Sequence, residues 1–179
     1  MNKLVGIAIL AIIVGGVSVY AVSPYFTEST IDESIPTGAI IQSEIKNNDM
    51  IVSHDKESVM EEEAMMMEEV IPVSYAGTFV GVGDGIHDAQ GNVFTIPLED
   101  NSNILRLENF KSTNGPDLYV YLATDDNASE FINLGELKAN NGNQNYEIPE
   151  NSDLNKYNKV LVWCKAFGVL FGSAELSTQ

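Results

Sequence analysis

Apolar and polar residues alternate in short runs over the C-terminal part of the chain. In Asp117 to Leu122, Leu118, Val120 and Leu122 interleave with Tyr119 and Tyr121. In Lys159 to Phe167, Val160, Val162, Cys164 and Ala166 fall on one face, and Leu161, Trp163, Lys165 and Phe167 on the other. A period of two marks a strand with one face buried. Asn92 to Leu98, Asn103 to Phe110, Asn143 to Ile148 and Val169 to Leu176 also read as strands. Turn clusters separate them: Gly81-Val82-Gly83-Asp84-Gly85, Asn114-Gly115-Pro116-Asp117 and Asn140-Asn141-Gly142-Asn143. No long helical period intervenes. The pattern predicts an all-β domain over residues 75–179, an antiparallel β-sandwich of seven or eight strands.

The other two stretches have different patterns. From Leu4 to Val22 there are 19 uncharged residues, nearly all apolar, preceded by Lys3. Such a run just spans a bilayer core of ~30 Å. It predicts a transmembrane anchor at residues 1–22, or a signal peptide cleaved near Val19-Tyr20-Ala21 or Ala21-Val22-Ser23. Either way the remainder is exported, because Lys3 stays inside and the far flank carries Glu28, Asp32 and Glu33. Residues 23–74 hold 12 acidic and 2 basic side chains and no tryptophan. This composition predicts a solvated, mostly disordered linker. Within it, Ser58 and Glu61 form a capping box, and Met60, Ala64, Met67 and Ile71 recur at helical spacing before Pro72. That helix would be marginal alone.

Composition narrows the function. The 179 residues carry 26 acidic and 9 basic side chains, a formal charge of −17. Phosphate backbones and anionic lipid headgroups repel such a chain, so nucleic-acid binding is excluded. One cysteine permits no intrachain disulfide, and two histidines with one cysteine cannot build a four-ligand Cys/His zinc site. A blue-copper site lacks its second histidine and the methionine after the cysteine, and Cys-x-x-Cys-His for covalent haem is missing. No supported Ser-His-Asp set or phosphate-cradling glycine loop is found. The Met65-Met66-Met67 run offers soft thioethers suited to Cu(I), but lacks the repeated spacing of copper-binding segments and reads better as a greasy helical stripe.

Two residues remain as candidates for chemistry. Cys164 lies in one of the most apolar strands, either as a buried thiol acting as a small hydrophobe or as a redox-active thiol or cofactor ligand. Lys165 points to the opposite face of a regular strand and does little to activate it. His87 sits in the loop Gly83 to Asn92, either hydrogen-bonded to Asp84 or Asp88 or serving as a second ligand oriented by Asp88. Asp84, Asp88 and Asn92 depart from the EF-hand pattern, with Ile86 where an oxygen ligand belongs. Asn127-Ala128-Ser129 is a formal glycosylation sequon.

Several runs in order resemble the DM-thirteen domain family, which is found beside DOMON domains and in Skeletor-like proteins. They are His87-Asp88-Ala89-Gln90-Gly91, Leu105-Arg106-Leu107-Glu108-Asn109-Phe110, Asn114 to Leu122, Leu134-Gly135-Glu136-Leu137-Lys138, Gly142 to Pro149, Val162-Trp163-Cys164-Lys165-Ala166-Phe167, and Phe171 to Leu176. The resemblance spans about residues 77–176. It implies an extracytoplasmic all-β domain with an electron-transfer role. The family's characteristic cysteine falls on Cys164, as a naked thiol or the holder of a prosthetic group such as haem; by its own chemistry the thiolate is also a ligand for a metal ion. Ala166 stands where many members carry a charged residue or proline. Gly115-Pro116-Asp117 is expected to form a tight turn, with glycine admitting positive φ. Arg106, the sole arginine, is expected to anchor loops, and Asn143, Gln144 and Asn145 to satisfy backbone groups at a strand start.

The leading expectation is therefore a single-pass protein of the cell membrane, inserted through residues 4–22, whose C-terminal domain lies outside the cytoplasm. It exchanges electrons through Cys164, with His87 as a possible second ligand. Its partner is an exported or membrane protein. The rival is a non-catalytic interaction module in which Cys164 belongs to the core.

Overall fold

A computed structural model describes residues 3–22, 27–40 and 74–179. The N-terminal segment forms helix α1 (Lys3–Val22). Among the described residues no helix is long and apolar enough to cross a membrane. The Met-rich helix expected near Met60 to Ile71 lies outside the described residues.

Among the described residues ten strands follow: β1 (Thr30–Asp32), β2 (Tyr75–Gly81), β3 (Ala89–Pro97), β4 (Asn103–Ser112), β5 (Leu118–Ala123), β6 (Phe131–Glu136), β7 (Asn141–Ile148), β8 (Lys159–Cys164), β9 (Val169–Glu175) and β10 (Ser177–Thr178). The described strands do not divide into two facing sheets, so the expected sandwich gives way to another architecture. They form one path, β1-β7-β4-β3-β2-β9-β8-β5-β6, with β10 added on β2. All pairings are antiparallel except β1 on β7, which makes the sheet mixed. The path curls into a half-barrel, so that β3 and β4 share one core with β5 and β8. Register shifts in the β3–β4, β4–β7, β5–β6 and β8–β9 ladders supply the bending, since an extra residue in one strand kinks it and sharpens its twist.

Curling lets one sheet bury its own inner face. Val93, Leu105 and Leu107 from β3 and β4 share a core with Val120 and Leu122 from β5 and Val160, Val162 and Cys164 from β8. Each such aliphatic side chain contributes on the order of 1.5–3 kcal/mol when fully buried. The alternation expected for β5 and β8 holds: Tyr121, Ala123 and Leu161 form a second, smaller cluster on the opposite face. The expected strand through Phe167 stops at Cys164, however. Residues 165–168 form a turn closed by Gly168 N–H on Cys164 O (2.8 Å), so Ala166 does not continue the Cys164 face.

The largest departure from expectation is in the acidic stretch. Part of the segment read as solvated linker is docked on the sheet. Thr30, Ile31 and Asp32 pair with Asn141, Gly142 and Asn143 of β7. Further along, Ile40 N–H donates to Pro97 O and Glu99 N–H to Gly38 O, at 2.9 and 3.0 Å. Composition argued for solvation because these residues bring little apolar surface. The sheet holds them instead with hydrogen bonds and charge.

A candidate redox site at the loop end of the half-barrel

Antiparallel pairing brings four connections to the same end of the sheet: β2–β3, β4–β5, β6–β7 and β8–β9. Cys164 is the last residue of β8 at this end, paired with Leu118 and Val169. It is 1 % exposed. Its thiol donates to the carbonyl oxygen of Pro116 at 3.0 Å. Lys165 N–H donates to Asp117 O at 3.0 Å, so the backbone beside the thiol is tied to the same turn.

That turn differs from expectation in one detail. The left-handed residue is Asp117 (φ 57°), not Gly115. Gly115 is required for room: a Cβ there would lie 2.5 Å from the tip carbon of Phe171, a buried core side chain. Above the turn lies an open cleft of about 950 Å³. Its walls include Thr27, Glu28 and Ser29 before β1, Asn114 to Leu118, Glu136 to Asn140 in part, and Ala166. Pro116 thus separates Cys164 beneath from the cleft above. Asn140 is buried and joins the two walls. Its Oδ1 accepts from Ser29 N–H and Oγ, both at 2.9 Å, and its Nδ2 donates to Asn114 Oδ1.

His87 lies in the β2–β3 loop, where Asp84 organises it. Asp84 accepts from the backbone N–H of Ile86 (2.8 Å) and His87 (2.7 Å), and its other oxygen lies 2.6 Å from His87 Nδ1. The His87 N–H, then the His87 ring and the Ile86 N–H, hold the Asp84 carboxyl down at about 2. Asp84, not Asp88, therefore orients the imidazole. The ring packs on Phe171 with centroids 4.5 Å apart. Phe171 also meets Gly115, so this ring stands between His87 and the turn over Cys164.

No hydrogen bond or ring contact joins His87 to Cys164; each is engaged with its own neighbours. Among the described residues no three His, Cys, Asp or Glu side chains group to hold a metal ion. The Cys164 sulfur aims at a carbonyl oxygen and not at a shared site with His87. Pro116 O holds the thiol and Asp84 holds the imidazole.

The scaffold residues behave largely as their chemistry suggests. Arg106 is buried, and its Nη1 donates to Glu33 O (3.0 Å) and Asn145 Oδ1 (2.9 Å), anchoring the docked segment. Asn143 Oδ1 accepts from Asn109 N–H, and Gln144 bonds both backbone groups of Ala139. Three features escaped the pattern of residues: Phe171 as the link between two loops, Asn140 as the joint of the cleft, and the wall made by residues 27–29. Asn140 was visible only as part of a turn cluster.

The family model for electron transfer DM13 matches residues 81–176, just over half of the chain. The chain belongs to the DM13 family. The match begins at the end of β2 and runs to the end of β9, so it covers both Cys164 and the loop carrying His87. Neither a curated protein nor a solved structure matches the chain.

Proposed function

We propose that this DM13 domain transfers electrons through the Cys164 thiol. In this reading α1 holds the chain in the cell membrane, the domain works outside the cytoplasm, and the electron partner is an exported or membrane protein. The observation that carries the reading is the setting of Cys164. It is the chain's one thiol, it lies at the loop end, and it hydrogen-bonds the Pro116 turn that floors an open cleft. One-electron oxidation of the thiol passes its electron to the partner protein and releases its proton to water; the Pro116 carbonyl accepts the S–H hydrogen bond and orients the thiol until then. His87 acts through packing: it braces Phe171, which meets Gly115 next to Pro116.

A second reading has one observation in its favour. Cys164 is as buried as the aliphatic residues around it, which suits a core thiol in a binding module. The full chain and Cys164→Ser, purified from a host supplied with haem and metals, separate the two. The redox reading expects either a visible chromophore lost in the variant or a folded-state thiol with a measurable reduction potential. A colourless, metal-free protein whose thiol reacts only after unfolding supports the binding module instead.

A further inference from the structure

The docked segment and the cysteine are joined by a continuous set of contacts. Ser29 bonds Asn140, Asn140 bonds Asn114, and Asn114 precedes the Gly115-Pro116 turn whose carbonyl accepts the Cys164 thiol. The same segment supplies the cleft wall at residues 27–29. Access to the turn thus depends on a piece of chain that belongs, by sequence, to the acidic linker and not to the DM13 match.

The attachment of that piece is polar. Glu33 closes on Lys138 Nζ at 2.8 and 3.0 Å and accepts Asn145 N–H at 2.6 Å. Arg106 and Asn145 Nδ2 donate to the carbonyls of Glu33 and Ser34. Asp32 accepts from Asn143 Nδ2 at 2.7 Å. A Cβ on Gly142 would overlap Ile31 O, so β7 carries glycine where the segment's backbone comes closest. β1 itself is only three residues long and at an edge of the sheet. Short edge pairing held by such groups is the kind of contact that opens locally while a core stays closed.

We infer that residues 27–40 form a releasable strap that controls access to Cys164: docked, it fixes Asn140 and the Pro116 turn over the thiol, and released, it opens the cleft wall and frees the turn. The inference rests on Cys164 being the working group, but the test reads access and not electron transfer. It uses the full chain with Ile31→Pro and Glu33→Lys combined. Both changes lie on the strap, so the β-domain keeps its own residues. Proline removes the Ile31 N–H from the β1–β7 ladder, and lysine meets Lys138 and Arg106 with like charge.

Amide exchange of Asn141 and Asn143 reports release, and alkylation of Cys164 by iodoacetamide reports access. The strap predicts faster exchange at both amides, at least tenfold faster alkylation, and unchanged protection of Val120 and Val162. Released amides with an unchanged alkylation rate would overturn control of the thiol. Amides still protected in the double variant would overturn the attachment as described. Loss of protection at Val120 and Val162 would assign any faster alkylation to opening of the core and would likewise overturn the strap. A failure of the electron-transfer reading shows separately, as a thiol that becomes accessible on release yet has no measurable reduction potential.

Discussion

Around Cys164, β5 and β8 lock Val120, Leu122, Val160 and Val162 into a shared core with no exposure. At one end of the sheet path, β1 is kept on β7 by Glu33, Lys138, Arg106 and a row of amides. Apolar burial is non-directional and insensitive to charge. A polar attachment depends on geometry, ionisation and salt. One molecule therefore contains a region that yields only on global unfolding and another that can be undone by local chemistry.

The sharpest way to break this contrast is to weaken the core. Leu122→Ala should cost about 2–5 kcal/mol, read as a lower urea midpoint with unchanged slope, and should leave the strap's folded-state hydrogen bonds intact. Gly142→Ala comes next. It combines a residue at φ 104° with overlap on Ile31 O, and should cost roughly 1–3 kcal/mol while loosening β1. Amide exchange should show the loosening at β1 and β7 and not at β8.

Acid should distinguish the regions further. Burial raises the Glu33 carboxyl, but Lys138, the Asn145 N–H and the charge of Arg106 outweigh it and hold the group below 4.5. A depressed carboxyl contributes stability that is present above its unfolded value and lost as pH falls through its folded value. Strap protection should therefore decline below about pH 4.5 in the wild type and be already reduced at neutral pH in Glu33→Gln, as followed by amide exchange. The smallest effect is expected at Lys156. Its contact with Glu130 is solvent-exposed on both sides, so Lys156→Ala should leave the unfolding midpoint unchanged within error.

Much of the β-domain was legible in its residues because burial imposes a period of two. The faces of β5 and β8, including the side on which Cys164 lies, follow from that alone. The curl was not legible, since it depends on where bulges fall and on which strands pair across the chain. Nor was the strap, because Thr30-Ile31-Asp32 is too short and too acidic to look like a strand; its partners lie more than a hundred residues away. At the site, Cys164 and His87 stood out by chemistry. Their separation by Phe171 did not, because nothing local in the chain says which loops share an end of the sheet.

The strap also sets a length. Seven residues run from Val22, where α1 ends, to the docked Ser29, a stretch that at full extension reaches ~25 Å. With the strap off the sheet, the span from Val22 to Ser74 is 52 residues, with a limit on the order of 180 Å. For a helix fixed in place, flexible-chain reach grows as the square root of length, so that difference enlarges the volume the domain visits by roughly twenty-fold. Undoing one short strand would thus convert a domain confined beside its own helix into one that patrols a wide surrounding shell.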